Sequence, residues 1–338
     1  MKKKVYIVYT GGTIGMTKTK DGYTPTRGYL KKQMENILEL KSGTMPEYVI
    51  NEYDPLLDSA NMTPDKWDLI AEDISINYDE YDGFVVLHGT DTMSYTASAL
   101  SFMLEGLDKP VIITGSQIPI CEIRNDARSN LITSIMIAAN YKIPEVCLFF
   151  GDKLYRGNRT VKVSADQLAA FASPNYPPLG AVGVDIKINW DIIRPVRSKD
   201  VRFHELSLHS IGALRIFPGI SAEVVNNILQ PPLQGLVLEV FGTGNVPGND
   251  LKLVQVLADA CLRGIVIVAC TQCLSGTVDL GSYQAGSVLQ KAGVISGYDM
   301  TREAALAKLY YLFSKGLEPA EIKRLMQTNI CGELTVMK

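Results

Sequence analysis

Phe84-Val85-Val86-Leu87-His88-Gly89-Thr90-Asp91-Thr92-Met93 is the stretch on which the reading of this chain turns. Its first four residues are apolar without polar alternation, the pattern of a strand buried on both faces. A loop of glycine, hydroxyl and carboxylate groups follows. From Thr92 to Leu107 the apolar residues Met93, Ala97, Leu100, Met103, Leu104 and Leu107 then recur near a 3.6-residue period, which predicts a crossover helix. Strand, loop and helix in that order are the elements of a βαβ unit and of a parallel sheet.

The same texture extends outward on both sides. Short strand-like runs stand at Val5–Tyr9, Val111–Thr114 and Val146–Phe150. After Pro174 it changes: Pro177-Pro178 is followed by a polar passage from Lys187 to His209 that carries Arg194, Arg197, Lys199, Asp200 and Arg202, a composition suited to a linker. Strand-like runs resume at Ile211–Phe217, Leu236–Val240 and Gly264–Ala269. A long helix is expected from Thr301, its N-cap, to Gly316, its stop. The fold class is therefore α/β with two domains: a larger N-terminal domain with a mostly parallel sheet over residues 1–190, a linker over 191–210, and a smaller α/β domain over 211–338.

The length of 338 residues agrees with two cores. Lys plus Arg number 33 against 36 Asp plus Glu, so there is no basic excess to neutralise nucleic-acid phosphates or hold an anionic membrane. A small-molecule partner fits this balance, and neither nucleic acid nor membrane is expected. The apolar run Val5–Tyr9 is too short for a signal h-region and soon meets Gly11-Gly12, which makes a cytoplasmic protein the expectation. The six cysteines sit mostly in or beside apolar runs of a long chain, so reduced thiols are expected. Cys270-Thr271-Gln272-Cys273 has C-x-x-C spacing but no second pair or histidine cluster to complete a zinc site. No metal or cofactor is expected.

In an open parallel sheet, ligands bind outside the carboxyl ends of the strands, so the residues after each strand matter most. Here they are Thr10-Gly11-Gly12-Thr13-Ile14-Gly15, His88 to Met93, and Thr114-Gly115-Ser116-Gln117. The glycines after the first strand match neither the G-x-G-x-x-G dinucleotide fingerprint nor a P-loop. They do suit a nucleophile, since a substrate carbonyl must approach the backbone and find N–H donors for its oxyanion. A serine hydrolase is disfavoured: no G-x-S-x-G elbow exists, and His88, His204 and His209 are the only histidines. His88 ends a buried strand and reads as a satisfied core histidine. Some other group must then accept the hydroxyl proton, such as a desolvated lysine or a tyrosine.

Thr10 to Gly15 together with His88 to Met93 resembles the bacterial-type L-asparaginase family. The likeness continues through Asp58-Ser59-Ala60, Thr114 to Gln117, Tyr155-Arg156-Gly157-Asn158-Arg159-Thr160-Val161-Lys162, Phe171-Ala172-Ser173-Pro174-Asn175 and Gly242-Thr243-Gly244-Asn245, nearly the whole chain. It is nearest to the cytoplasmic type I branch. The resemblance implies hydrolysis of L-asparagine to L-aspartate and ammonia, with Thr13 as the nucleophile that forms a β-aspartyl ester. Thr90, Asp91 and Lys162 match the second catalytic group. Tyr23 matches a tyrosine on a mobile loop that closes over the substrate, and Lys20 to Pro25 is turn-rich in keeping with that. Asp58, Ser59, Ala60, Gly89, Thr90, Asp91 and Ser116 match substrate-binding positions. Asn245 matches a residue that reaches the substrate ammonium from a neighbouring subunit, which implies a homo-oligomer, dimer or tetramer, whose C-terminal domain completes the neighbouring active site.

Elementary chemistry agrees with these roles. Free asparagine carries an ammonium and a carboxylate, and both must be held to place its amide carbon on the nucleophile. Asp91 is the natural partner of the ammonium, while Ser59 and the backbone N–H groups of the Gly89-Thr90 turn suit the carboxylate. Structural alternatives stay open: Thr90 as a helix N-cap, Lys162 as a solvated charge, Asn245 as a turn residue. An amidotransferase subunit and a binding module that has lost turnover are the rival functions. Some cytoplasmic members also carry a regulatory asparagine pocket that uses a hydroxyl just before the lysine and a basic residue on a C-domain strand. Val161 and Glu239 stand at those positions and supply neither.

Overall fold

The apolar run Val5–Tyr9 lies within the strand Lys4–Gly11, which has a parallel neighbour on each side and in which Val5, Ile7, Val8 and Tyr9 have no exposed surface. A computed structural model describes residues 2–20, 22–196, 200–281 and 284–335. The chain folds as two units, Met1–His204 and Glu205–Lys338.

In the first unit an eight-stranded sheet runs in the order Ile186–Ile188, Gly180–Val182, Lys153–Arg156, Val146–Phe150, Val111–Thr114, Gly83–Leu87, Lys4–Gly11, Glu47–Leu57. The last five strands are mutually parallel, and the first three are antiparallel additions. All four apolar runs read from the sequence in this half are among the parallel strands. The helix expected over 92–107 is shorter, Met93–Met103. Leu104 leaves helical geometry because Leu104–Glu105 pairs antiparallel with Arg202–Phe203, so these backbone groups find strand partners in place of helical ones.

That pairing also bears on the expected linker 191–210. Its residues Arg202–Phe203 belong to the first unit's structure, and Arg194 N–H donates to Glu145 at 2.7 Å. Arg197 and Lys199, with Ser198 between them, lie outside the described residues.

The second unit is built on a parallel four-stranded sheet in the order Ile211–Arg215, Gly235–Val240, Val266–Thr271, Ile295–Ser296. The strand expected from Gly264 begins later because Gly264 and Ile265 still close the preceding helix, with Ile265 N–H donating to Ala260 O at 3.1 Å. The first strand stops short of Phe217, which is 52% exposed. The expected helix forms over Arg302–Ser314: the Thr301 hydroxyl accepts from Ala304 N–H as its cap, and Gly316 follows at φ 65°, where a glycine ends a helix without a Cβ clash. Both halves are thus α/β layers, as the sequence pattern implied, the larger one N-terminal.

Candidate active site

The position of the candidate site follows from the strand order. Lys4–Gly11 has Glu47–Leu57 on one side and Gly83–Leu87 on the other, so the first crossover leaves in one direction and the second returns over it. At such a switch point the loops beyond the carboxyl ends diverge and open a crevice. The three loops nearest that point carry Thr13, Ser59 and Thr90.

Glycines let these loops meet. A Cβ on Gly12 would fall 2.4 Å from the Gly89 nitrogen, and a Cβ on Gly89 would fall 2.5 Å from the Ser59 hydroxyl oxygen. Gly12 also has φ 87°, outside the range of most side-chain-bearing residues. Thr13 then opens the short turn Thr13–Gly15, half-buried, with a backbone kept bare around it. Asp58 caps the adjoining turn by accepting from Ala60 N–H at 3.0 Å, and Ser59 is buried beneath it. Asp58 and Ala60 are exposed.

The second group is tightly connected. Lys162 Nζ donates to Thr90 Oγ1 at 2.8 Å and to Asp91 Oδ1 at 2.7 Å. Thr90, only 6% exposed, has a hydroxyl that donates onward to Gln117 Oε1 at 3.1 Å. The Lys162 side chain is 20% exposed and the Asp91 side chain 64% exposed. Asp91 can therefore meet a ligand while Lys162 stays behind it. Lys162 is not a solvated surface charge, and Thr90 does not cap the helix: Thr92 is the N-cap residue, and its hydroxyl donates to Ser59 O at 2.7 Å. Lys162 arrives through the two-residue strand Val161–Lys162, paired antiparallel with Phe171–Ala172.

Tyr23 lies on the hairpin of Met16–Thr19 and Gly22–Pro25, whose second strand packs against the Thr13–Gly15 turn. Asp21, in the segment expected to be a flap, lies outside the described residues. Ser116 is fully buried, and its hydroxyl donates to Ile118 O at 2.8 Å, so it offers a ligand its backbone more readily than its O–H. Asn245, in the second unit, closes the turn after strand Gly235–Val240 by exchanging backbone hydrogen bonds with Phe241 at 2.8 and 2.9 Å. Glu239 is buried on that strand within 3.6 Å of Arg302 and 3.8 Å of Arg215, and Val161 is buried in the first unit. Two residues outside the expected set join the site: Gln117, which accepts from Thr90, and Glu122, which accepts from Tyr23. Gln117 stood in a quoted motif, but no local pattern marks Glu122.

His88 is a core residue. Its Nδ1 lies 2.6 Å from Gly89 O, an acceptor only, so Nδ1 carries the proton and Nε2 accepts from the Thr96 hydroxyl at 2.9 Å. Burial lowers its pKa to about 4, against about 6.5 in an unfolded chain. Above pH ~6.5 the imidazole is neutral in both states, and as pH falls only the unfolded chain takes up the proton until the folded value is reached. Stability from this group is therefore lost between about pH 6.5 and 4, by about 3 kcal/mol in all. Urea unfolding at pH 7 and pH 4.5 should show a drop that shrinks by about 2–3 kcal/mol in His88→Gln. An unchanged drop would refute the assignment.

Of the C-x-x-C pair, Cys270 is buried and Cys273 exposed, and neither is in a disulfide. Burial pushes the Cys270 thiol up to about 12, which keeps it protonated and inert.

Comparisons with known proteins agree with this architecture. Residues 4–194 match the family described as "Asparaginase, N-terminal", and residues 210–326 match "Glutaminase/Asparaginase C-terminal domain". The chain is 52% identical over 334 residues to L-asparaginase 1 of Escherichia coli, covering 99% of this chain and 98% of that protein. It superposes on the crystal structure of L-asparaginase I from Vibrio cholerae with a TM-score of 0.93 at 49% identity, over 99% of this chain and all of that one. The thermostable L-asparaginase from Thermococcus kodakarensis gives a TM-score of 0.90 at 34% identity, with 99% and 100% coverage.

Proposed function

The chain belongs to the asparaginase family, and from that premise we propose that it is an L-asparaginase, an amidohydrolase that converts L-asparagine to L-aspartate and ammonia through a threonine-linked ester. The observation that carries this reading is the junction of Gly12 with Gly89, which sets the Thr13 turn beside the bonded group of Thr90, Asp91 and Lys162.

Asp91 takes the substrate ammonium, while Ser59 and the N–H groups of the Gly89-Thr90 turn take the α-carboxylate; Asp58, Ala60 and Ser116 shape the same pocket. Thr13 Oγ attacks the amide carbon, and backbone N–H groups near Gly12 hold the developing oxyanion. The hydroxyl proton passes to Tyr23 and on to the departing nitrogen, so ammonia leaves and a β-aspartyl ester remains on Thr13. Water then attacks that ester, with Thr90 and Lys162 handling its proton. The hairpin bearing Tyr23 keeps bulk water away during the first step.

Fixing both α groups also fixes where the amide carbon lies, and one added methylene carries it past Thr13. Asparagine should be preferred over glutamine by about 10–200-fold in kcat/KM, the range that one methylene commands. Ammonia release from the two amides is the test: equal values remove the geometric argument, and release from neither removes the function.

The working unit is a homodimer or a dimer of dimers, because the substrate ammonium is completed by the partner subunit's Asn245. Activity followed on dilution, beside light scattering, should fall as dimers dissociate, whereas a fully active monomer overturns this. The protein acts in the cytoplasm. No helix of the described residues is long and apolar enough to cross a membrane.

A further inference from the structure

The Tyr23 hydroxyl donates to Glu122 Oε1 at 2.6 Å. The two residues are 99 positions apart, and among the described residues Tyr23 is the hydrogen-bond partner of this carboxylate. Glu122 is itself held in place. Its N–H donates to Pro119 O at 3.0 Å, and Asn125 Nδ2 donates to its carbonyl at 2.6 Å. The same segment hangs on the nucleophile turn: Ile120 N–H donates to Ile14 O at 3.1 Å, and Cys121 Sγ contacts Met16 O at 3.5 Å. The hairpin therefore has two attachments to this region: its own packing against Thr13–Gly15, and a charge-assisted hydrogen bond from its tyrosine to a carboxylate tied to that turn.

We propose that Glu122 is a positioning residue for the reaction, anchoring the hairpin through Tyr23 and turning the phenol so that its oxygen faces Thr13 as an acceptor. This rests on the reading of Thr13 as nucleophile and Tyr23 as its proton acceptor. A phenol has one proton and otherwise lone pairs. With its O–H committed to Glu122, the oxygen presents lone pairs to other donors and can accept a hydrogen bond from the Thr13 hydroxyl. As Thr13 attacks, its proton moves to the phenol oxygen while the phenol proton moves to the Glu122 carboxylate, and the return of that proton through Tyr23 supplies the departing nitrogen. The carboxylate also raises the phenol's pKa, so Tyr23 stays protonated and in this orientation at neutral pH. A tyrosine without Glu122 would rotate its O–H freely, and the hairpin would lose its tether.

The experiment compares Glu122→Ala, Glu122→Gln, Tyr23→Phe and Glu122→Ala with Tyr23→Phe, all in the full chain. Glu122→Ala is expected to lower kcat about tenfold while KM for asparagine changes less than twofold, since the anchor acts on the attack and not on the groups that hold the substrate. Glu122→Gln should keep the hairpin tethered, because its amide oxygen still accepts a hydrogen bond from the phenol, but recover little of the loss in kcat, because an amide does not take up the proton. In the Tyr23→Phe background, Glu122→Ala should add less than a twofold effect. A tenfold loss in both backgrounds would show that Glu122 does not act through Tyr23 and overturns the proposal. Trypsin cleavage after Lys18 or Lys20, measured without substrate, gives a second readout. It should accelerate about equally in Glu122→Ala and Tyr23→Phe, and an unchanged rate in Glu122→Ala overturns the anchor. Should wild type release no ammonia from asparagine, the asparaginase reading fails, and the trypsin rates alone decide the tether.

Discussion

Thr13→Ala is expected to lower kcat for asparagine by ~10⁴-fold or more, the scale seen when a covalent nucleophile is removed and only binding and oxyanion stabilisation remain. Asparagine binding should be nearly intact, because the groups assigned to its α-ammonium and α-carboxylate, Asp91, Ser59 and the Gly89-Thr90 turn, lie on other loops. Titration calorimetry of the variant against asparagine measures that. In the unsubstituted enzyme, mass spectrometry after a rapid acid quench should find an aspartyl adduct on the peptide that contains Thr13. Thr90 is the competing nucleophile. The residue is 6% exposed, and its hydroxyl receives a hydrogen bond from Lys162 and donates to Gln117, so its proton and a lone pair are already engaged. Thr13 opens a half-buried turn under glycines, with access for an acyl carbon. An adduct on the Thr90 peptide, or undiminished kcat in Thr13→Ala, reverses the assignment of the two threonines.

Lys162→Met is expected to lower kcat by ~10²–10⁴-fold, the range of a lost general acid–base group. Methionine roughly preserves the apolar stem between Val161 and the buried Thr90 while removing the ammonium that bonds Thr90 and Asp91. Because the lysine group is assigned to the attack of water on the ester, the second step should slow more than the first. A rapid-quench time course should then show a burst of ammonia of about one equivalent, with the Thr13 adduct accumulating. Asp91 loses its bonded neighbour, so KM should rise several-fold as well. Unchanged kcat would place Lys162 outside the chemistry. A slow reaction without any burst would assign it to the first step instead.

The parallel strands were legible because each is buried on both faces and so reads as an uninterrupted apolar run, as in Phe84 to Leu87 or Val146 to Phe150. Glu47–Leu57 was not. It is the edge strand at one end of the sheet, with exposed and partly exposed residues throughout and polar Asn51, Glu52 and Asp54 in its run. The added antiparallel strands Gly180–Val182 and Ile186–Ile188 are three residues each, too short for a period to show. Helix ends followed the caps where a cap was decisive, at Thr301, and departed from the period where tertiary pairing competed for the backbone, at Leu104.

For the site, sequence alone determined the identities and the order: glycine beside hydroxyl or carboxylate after successive strands, on an α/β frame whose strand ends are where ligands bind. Those are local properties, since strand burial, helix period and glycine at a close approach all act within a few residues. Only the tertiary structure decided which of these groups touch. Lys162 reaches Thr90 across 72 residues because a two-residue strand pairs with Phe171–Ala172, and no local propensity encodes so short a ladder. Tyr23 meets Glu122, and Thr90 meets Gln117, for the same reason: each partner is carried on a loop with no period of its own, oriented by the sheet. His88 became a neutral core residue through Gly89 and Thr96, the latter carried on the helix Met93–Met103 that follows its strand. The chemistry of a side chain is written in the sequence, but its partner, burial and protonation state belong to the packing that surrounds it.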